Sequence, residues 1–291
     1  MPIARTRQYL LATTAAALLA GCVTVTTEPR AVLLEENSRV RVQRLNCAEA
    51  KVLARADAQS PSALDPGRIR LVTWNIHKEG DPGWQEDLAH LAADADIVLL
   101  QELVLTPEIR RVIEGASLQW AMASSFLDSD IDIGVLTASR VRPLATCTQR
   151  VVEPLLRLPK SAVITWFAVK GERRTLAVAN MHSINFSLSL GAYRAQLAAM
   201  RDALATHDGP IIFAGDLNTW TVGRLEAVRE VAAALGLTEI SFEQDRRRVF
   251  FGKQLDHIFV RGLDLRGSSA LEVKSSDHNP VLATLRITGQ R

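Results

Sequence analysis

The sequence predicts one α/β domain preceded by a long lead-in. From Ile69 onward, short apolar runs of strand length alternate with longer stretches that carry apolar residues at helical spacing. Hydrophobic residues make up 47% of the 291-residue chain, which is an ordinary globular fraction and enough for a sizeable core. The sequence shows no internal repeat and no glycine-rich nucleotide loop. A fibrous or largely disordered chain is therefore excluded.

Apolar patterning predicts the elements of this domain in order. Strands are expected at Ile69–Trp74, Ile97–Leu100, Ile133–Thr137, Ala162–Val169, Thr175–Met181, Pro210–Ala214, Leu255–Val260 and Val281–Ile287. Helices are expected at Trp84–Ala93, Pro107–Gly115, Leu190–Thr206 and Val222–Leu235, with a short helical stretch near Ala48–Ala58. Proline, serine and glycine at positions 60–67 mark the boundary before the first strand.

The N-terminal residues 1–21 are predicted to be a lipoprotein signal peptide. Arg5 and Arg7 precede an apolar run from Tyr9 to Ala20, which is too short to span a bilayer and suits a signal. The small residues before Cys22 resemble the bacterial lipobox, in which that cysteine is diacylated. The alternative is a secretory signal with a chance cysteine. The lipobox reading implies a lipoprotein of the bacterial cell envelope that faces the periplasm, and Val23 favours the outer membrane over the inner.

The charge balance bears on binding to nucleic acid, and the cysteine count bears on disulfide formation. The chain carries 34 basic and 32 acidic residues, and removal of Arg5 and Arg7 leaves a neutral mature protein. A neutral chain lacks the basic excess that drives non-specific binding to nucleic acid. After lipidation of Cys22, Cys47 and Cys147 remain as an even pair in an oxidising compartment. A disulfide between them and two separate buried thiols are both open, and neither cysteine has the spacing of a zinc site.

The predicted organisation is therefore a signal at 1–21, a lipid-anchored tether and lead-in at 22–67, and a catalytic domain at 68–291. Within that domain, polar residues repeatedly follow apolar runs. A strand carries its last side chain to the rim of the sheet, so these residues predict one convergent polar site. They are Asn75, Gln101-Glu102, His182, Asp216 with Asn218, Asp256-His257 and Ser276-Asp277-His278-Asn279.

These motifs fall in the order of the endonuclease/exonuclease/phosphatase superfamily, which the chain resembles over about residues 69–287. The segments 74–78, 160–163, 182–188 and 245–248 are most similar to the YafD-type bacterial branch. The resemblance implies a four-layer α/β sandwich, with two mixed β-sheets packed face to face and helices on both outer faces.

The resemblance also implies a divalent-metal-dependent phosphoesterase. Asn75, Glu102 and Asp277 are expected to hold Mg²⁺ or Mn²⁺, since carboxylate and amide oxygens suit hard cations. Asp216 would orient or deprotonate the attacking water, and Asn218 would donate to a phosphate oxygen. His278 would contact the phosphate, with its tautomer fixed by Asp256.

His182 would be the second imidazole at the phosphate, as an aid to the leaving group. Its expected acidic partner, Asp130 or Asp132, does not align clearly. Lys160 and Asn185 are further candidates for the substrate phosphate. The alternatives without a catalytic function are that the lysine is a solvent-exposed residue at the start of a strand and that the asparagine forms a turn. Two interpretations also remain for the run Arg246-Arg247-Arg248, which either contacts a phosphate or is part of the solvent-exposed surface.

Two function classes remain. The first is an envelope phosphoesterase that acts on a phosphate ester of nucleic acid, phospholipid or headgroup. The second is a catalytically silent lipoprotein that uses the same fold for binding. The complete set of predicted site residues favours the enzyme. A monomer is expected, with the membrane as partner through its lipid anchor and with no protein partner.

Overall fold

The computed structural model describes residues 23–26, 28–34, 39–43, 46–54, 62–187 and 189–288. The predicted signal peptide and Cys22 lie outside these residues. The strands are β1 (Val23–Thr24), β2 (Arg30–Leu34), β3 (Val40–Gln43), β4 (Ile69–Asn75), β5 (Ile97–Val104), β6 (Gln119–Asp128), β7 (Ile131–Ser139), β8 (Ala145–Val152), β9 (Pro159–Phe167), β10 (Leu176–His182), β11 (Ile211–Asp216), β12 (Thr238–Glu239), β13 (Val249–Phe250), β14 (Lys253–Gln254), β15 (Asp256–Arg261), β16 (Leu263–Ala270) and β17 (Val281–Ile287). The helices are α1 (Cys47–Leu53), α2 (Trp84–Asp94), α3 (Pro107–Gly115), α4 (Gly191–Leu204) and α5 (Val222–Ala234).

Two mixed sheets form the centre of the molecule. In the described residues, the first sheet has the order β16-β17-β4-β5-β7-β6-β2-β3, with β1 also paired to β6. The second sheet has the order β12-β15-β11-β10-β9-β8, and β13 and β14 form a separate hairpin. β4 runs parallel to β5 and β10 runs parallel to β11, whereas the other pairs are antiparallel. The carboxyl ends of β4, β5, β10 and β11 can therefore meet at one end of the sandwich.

Side-chain alternation along the strands creates the layers. In β10, Val178 belongs to the core between the sheets, whereas Ala177 and Ala179 belong to the core beneath α4 and α5. The opposite face of the first sheet is covered by α2 and α3, which place Leu88 and Ile109 in a third apolar cluster. The arrangement is helix, sheet, sheet, helix, so the predicted four-layer sandwich is confirmed.

The predicted lead-in is part of the folded unit where it is described. β2 adds to β6, with Arg30 opposite Ser124, and β3 adds to β2. A disulfide joins Cys47 of α1 to Cys147 of β8, two cysteines separated by 100 positions. Described parts of the predicted lead-in therefore pack against the domain that begins at residue 68. β3 is a short edge strand that alternates apolar with polar residues, and such a strand resembles a solvated run in the sequence. No helix in the described part of the chain is long and apolar enough to cross a bilayer.

Candidate active site

Three neighbouring strands of the second sheet bring polar side chains together. His182 ends β10, Asp216 ends β11 and Asp256 begins β15, and Asp216 is the register partner of both others. Ile212 and Ile258 lie an even number of positions away on these strands and belong to the core between the sheets. Because side chains two apart share a face, the three polar groups point toward the first sheet.

A glycine fixes how closely β10 and β11 approach at this point. Gly215 precedes Asp216 and has φ of +133°. A Cβ atom at this position would lie 2.1 Å from the carbonyl oxygen of Met181 on β10, a distance at which the backbone would have to move. Glycine is therefore required here to place Asp216 beside His182.

Asn75 connects the two sheets. It ends β4, and its Nδ2 donates to Oδ2 of Asp216 at 3.0 Å, while its Oδ1 accepts from the backbone N–H of His77 at 3.1 Å. Behind it, Gln101 of β5 donates from Nε2 to Oδ1 of Asn180 on β10 at 2.7 Å. These buried amides hold the site ends of the two sheets at a fixed separation.

A bulge directs Glu102 into the site. Simple alternation would put Glu102 on the face of β5 opposite to that of Gln101. However, the register between β5 and β7 shifts between Leu100 and Leu103, and Glu102 has a left-handed φ of 51°. Its Oε1 lies 3.4 Å from Nε2 of His182 and 3.7 Å from Nζ of Lys160.

Basic groups around Glu102 keep its carboxyl ionised. Burial alone would raise the pKa of this carboxyl, but His182 in its protonated form, Lys160 and Lys78 outweigh burial and lower the pKa to about 2. Lys78 lies in a turn, His77–Glu79, whose three residues all have left-handed φ between 51° and 56°. Such backbone is costly for residues other than glycine and concentrates at functional sites.

His278 pairs with Asp256, as the sequence predicts. Nδ1 of His278 lies 2.8 Å from Oδ2 of Asp256, and Nε2 lies 3.8 Å from Oδ2 of Asp216. Burial would lower the pKa of His278, but these two carboxylates raise it to about 10. His278 is therefore an imidazolium at neutral pH, and its Nε2 is directed toward Asp216.

His182 is in the opposite charge state. Burial and the neighbouring Lys160, whose Nζ is 3.0 Å from Nε2, lower the pKa of His182 to about 4. The carboxylates of Glu102 and Asp216 contact it, the latter at 3.6 Å. Asp132, a candidate partner in the sequence, instead binds Arg30 and Ser124. Burial near a lysine thus favours the neutral form of His182, and its role as an aid to the leaving group stays a prediction.

The predicted metal ligands are only partly assembled. Asn75 and Glu102 supply hard oxygen donors inside the site, whereas Asp277 is half-exposed at the rim, with Oδ1 3.9 Å from Nδ1 of His77. The described residues contain no group of three or more His, Cys, Asp or Glu arranged to hold a metal ion. The chemistry of this donor set, oxygen ligands with one firmly ionised carboxylate, nevertheless fits Mg²⁺ or Mn²⁺.

Asn218 and Asn185 each make hydrogen bonds within the loops of the site. Asn218 has a left-handed φ of 47° and donates from Nδ2 to the carbonyl oxygen of Ser183 at 3.1 Å, and its predicted contact with a phosphate oxygen stays a prediction. Its backbone N–H donates to Oδ1 of Asp216 at 2.9 Å. Oδ1 of Asn185 accepts from Nε1 of Trp220 at 2.9 Å. The side chain of Asn185 thus positions Trp220 through its oxygen, and its role at the substrate phosphate stays a prediction.

Arg224 organises these loops and was not singled out in the sequence. The buried guanidinium donates to the carbonyl oxygens of Ile184, Asn185 and Asn218, and it stacks between the rings of Tyr193 and Trp220 at 4.5 and 4.7 Å. A single arginine in a helix gives no sequence signal for such a role, because its acceptors are backbone atoms up to 40 positions away.

Arg247 differs from its neighbours in the run 246–248. It donates to Glu239, to Asp245 and to the carbonyl oxygen of Asp256, at distances of 2.7–3.1 Å. It therefore supports the strand that carries Asp256. Arg246 and Arg248 are exposed.

The site is thus a cluster of carboxylates, imidazoles and amides at one end of a four-layer sandwich. Residues 72–278 match the profile of the Endonuclease/Exonuclease/phosphatase family, and the chain belongs to that family. The family includes metal-dependent phosphoesterases and nucleases. A curated relative, a UPF0294 protein of Klebsiella pneumoniae strain 342, is 40% identical over 225 residues, covering 77% of this chain and 84% of that protein. It represents the YafD-like bacterial branch that the sequence predicts.

Solved structures share the fold at low identity. The human Nocturnin catalytic domain with bound sulfate matches 78% of this chain and 96% of its own, with a TM-score of 0.61 and 18% identity. ANGEL2, a 2′,3′-cyclic phosphatase in complex with adenosine-2′,3′-vanadate, matches 76% and 96%, with a TM-score of 0.60 and 15% identity. A family protein from Leptotrichia buccalis matches 75% of this chain and 100% of its own, with a TM-score of 0.58 and 16% identity.

Proposed function

We propose that the protein hydrolyses phosphate esters by means of an activated water molecule and a divalent metal ion. The observation that carries this proposal is the environment of Asp216. One carboxylate oxygen, Oδ2, lies within 3.0–3.8 Å of Asn75, His182 and His278, at the meeting point of the two sheets. A carboxylate held between an imidazolium and a neutral imidazole is placed to orient water beside a bound anion.

The residues of the chain have distinct roles in this proposal. Asp216 orients the attacking water or accepts its proton. His278, as a cation, binds a phosphate oxygen and offsets negative charge that develops there, while Asp256 fixes its orientation. Lys160 adds a second positive charge beside His182. His182, being neutral, contacts the phosphate without delivering a proton of its own.

The metal ion is Mg²⁺ or Mn²⁺ in this proposal. Asn75 and Glu102 would hold it, with Asp277 from the rim and with water. When bound, such an ion polarises a phosphate and offsets charge on its oxygens. Members of this family commonly use divalent metals, and this supports the assignment. The bound sulfate in Nocturnin and the vanadate in ANGEL2 are phosphate-like anions held by proteins of the same fold.

The test is a substrate panel on the purified protein. Plasmid DNA, RNA, phospholipids and inositol phosphates are each incubated with and without Mg²⁺, then with EDTA. We expect turnover of at least one class, abolished by EDTA, restored by Mg²⁺ or Mn²⁺, and absent in Asp216→Asn. A chelator-insensitive activity would overturn the metal assignment. Failure on all four classes would favour the silent, substrate-binding lipoprotein instead.

We also propose that the protein is a monomeric lipoprotein of the bacterial envelope that faces the periplasm from the outer membrane. The apolar run before Cys22 supports export, and the disulfide between Cys47 and Cys147 suits an oxidising compartment. Cys22→Ser should abolish incorporation of labelled fatty acid and release the protein from membrane fractions. Unchanged retention of the variant in membranes would show that another segment anchors the chain.

A further inference from the structure

Exposed apolar side chains surround the end of the sandwich that carries the site. We name this the catalytic end, defined by Asn75, His182 and Asp216 at the ends of β4, β10 and β11. Six large exposed side chains project from turns at this end and are named the apolar rim. They are Ile131, Leu155, Leu156, Phe186, Phe250 and Phe251.

Two of the rim segments lie beside His182. Met181 pairs with Ala162 on β9, and Pro159 at the start of β9 pairs with Val152 of β8, so the turn between β8 and β9 extends past the end of β10. That turn carries Leu155 and Leu156, which are 51% and 54% exposed. Phe186, 49% exposed, lies in the loop that follows His182 directly.

The third segment lies beside Asp256. The hairpin of β13 and β14 immediately precedes β15, whose first residue is the register partner of Asp216. Phe251 at its tip is 77% exposed, and its ring lies 4.4 Å from that of Phe250 and 6.3 Å from that of Trp220. The hairpin thus presents a packed aromatic cluster to solvent rather than to the core.

The N-terminal strand enters at the same end, on the other side of the site. β5 continues past the level of Asn75 to Val104, which lies opposite Ile133 near the start of β7. The turn between β6 and β7, with Ile131, therefore lies at the catalytic end, and Val23 pairs with Asp128 beside it. Val23, the first described residue, therefore lies at the catalytic end.

Contacts with the second sheet hold this N-terminal segment in place. Arg150 of β8 donates to the hydroxyl oxygen of Thr26 at 2.9 Å and also to its carbonyl oxygen. Arg150 itself pairs with Ser161 on β9, close to the turn that carries Leu155 and Leu156. The entry point of the chain is therefore fixed with respect to the rim.

The composition of this surface matches a phospholipid bilayer. Exposed apolar patches bounded by polar groups mark interaction surfaces, and Phe and Leu side chains can bury at the boundary between lipid headgroups and acyl chains. The exposed Arg157 lies next to Leu156, and the exposed Arg246 and Arg248 lie next to the hairpin. Basic side chains next to an apolar patch complement the anionic headgroups of lipids. The apolar run Tyr9–Ala20 precedes Val23, which joins the fold at this end.

We infer that the catalytic end is the membrane-docking surface of the protein, and that its substrate is a phosphate ester in the headgroup layer of the bilayer that holds its N-terminus. The choice of substrate rests on the proposed function, whereas the docking surface does not. The rim inserts shallowly among the lipids, and the site between its segments opens onto the headgroups.

Docking is tested by depth-dependent quenching, which needs no enzymatic activity. The full chain carrying Phe251→Trp is reconstituted into phosphatidylglycerol/phosphatidylcholine vesicles with or without brominated phosphatidylcholine. The matched control is Val52→Trp on α1, 64% exposed, whose neighbour Lys51 contacts Thr206 just before β11 begins, at the opposite end. We expect strong quenching of the added tryptophan at 251 and little at 52. Equal quenching at both positions would overturn the docking surface.

Two other occupants would be revealed in the same preparation. If single-stranded DNA shields the tryptophan at 251 while brominated lipid does not quench it, the rim binds nucleic acid and the inference is wrong. If analytical ultracentrifugation in detergent shows a dimer that Phe251→Asp dissociates, and lipid again does not quench, the rim is a protein interface and the inference is likewise wrong.

The substrate class is tested by kinetics. Phe251→Asp should lower turnover of a vesicle-embedded phosphodiester by about tenfold or more, since one inserted aromatic side chain is lost from the apolar phase. Turnover of a water-soluble phosphodiester should be unchanged, and Val52→Asp should change neither. An equal loss on both substrates would overturn the lipid assignment. Quenching at 251 without any phosphoesterase activity would refute the proposed function and leave docking established.

Discussion

His182 and Asp216 are register partners on the parallel strands β10 and β11, and Nε2 of the histidine lies 3.6 Å from Oδ2 of the aspartate. Because these two neighbouring parallel strands end at the same level, their last side chains lie together at one end of the sheet. Their separation is therefore set by backbone hydrogen bonds and by the glycine that precedes Asp216. The pKa of His182 is then lowered by burial and by Lys160 on the neighbouring strand β9.

Asp216→Asn should remove activity while leaving the fold intact. The substitution preserves the shape of the side chain and an oxygen that accepts from Asn75, but it removes the general base. A general base typically contributes roughly 10²–10⁴-fold to the rate of an enzyme reaction. Turnover and thermal melts are the measurements. Asp264→Asn, an exposed aspartate paired with Arg286, is the matched control and should change neither. Activity near that of the wild type would exclude Asp216 from the chemistry.

His278→Ala should reduce turnover by roughly 10²–10³-fold, the usual cost of losing a group that stabilises charge in the transition state. Asp256→Asn should cost less, because the imidazole stays present and loses only its ionic partner at 2.8 Å. Both are measured with thermal melts alongside. The reverse order of effects would make Asp256 the more direct participant.

Glu102→Gln should weaken metal binding. The substitution removes the ionised carboxylate that is expected to hold the cation but keeps its shape. Mn²⁺ binding followed by electron paramagnetic resonance gives the affinity without any need for turnover. Glu108→Gln, an exposed glutamate paired with Arg111, serves as control. Equal Mn²⁺ affinity in the wild type and both variants would remove Glu102 from the ligand set.

Stability should fall with rising pH because of Glu79. Burial raises the pKa of this carboxyl from 4.5 to about 8, although a backbone hydrogen bond from Val104 opposes the shift. A raised pKa means that the folded state binds the proton more tightly than the unfolded state does. The stabilisation is therefore complete below about pH 4.5 and is lost as pH rises toward 8.

Glu79→Gln should flatten this dependence, since the amide cannot ionise. Each unit of pKa difference corresponds to about 1.4 kcal/mol. Urea midpoints of both proteins between pH 5 and pH 9 provide the comparison. Parallel curves over the whole range would show that Glu79 ionises freely in the folded protein.

Cys47→Ala with Cys147→Ala should destabilise the protein by about 2–5 kcal/mol, because the bond closes a loop of about 100 residues in the unfolded chain. The effect should appear as a lower urea midpoint, and reduction of the wild type should reproduce it. We expect the variant to retain its turnover, since the bond joins α1 to β8 away from Asp216. Identical midpoints for oxidised and reduced protein would contradict this expectation.

The sequence predicts the continuously apolar strands well and the strands that contain polar residues poorly. β4, β10 and β11 are buried on both faces, so they read as continuous apolar runs that end in polar residues. β6 contains Ser124 and Ser125, and β16 alternates apolar and polar residues around a bulge near Gly267. Neither forms a continuous apolar run, and both were missed.

Residue identity in the site was predictable, but side-chain direction was not. Glu102 follows Gln101 in an apolar strand, and only the bulge determines that both face the neighbouring sheet. Asn185 was open between ligand and turn former, and its partner Trp220 is 35 positions away. The charge states of His182 and His278 depend on neighbours from four separate strands, which no local pattern encodes.

The disulfide also constrains the order in which the molecule can be completed. A chain is synthesised from its N-terminus, so Cys47 emerges well before its partner at position 147 exists. β2 similarly has no neighbour until β6 is made. β2 and Cys47 must therefore stay without their partners while the middle of the chain is produced, and a thiol remains reactive throughout that interval. The Cys47 thiol can therefore form a wrong disulfide only between its own synthesis and the docking of β8. A factor that prevents such mispairing would act on this protein during that interval.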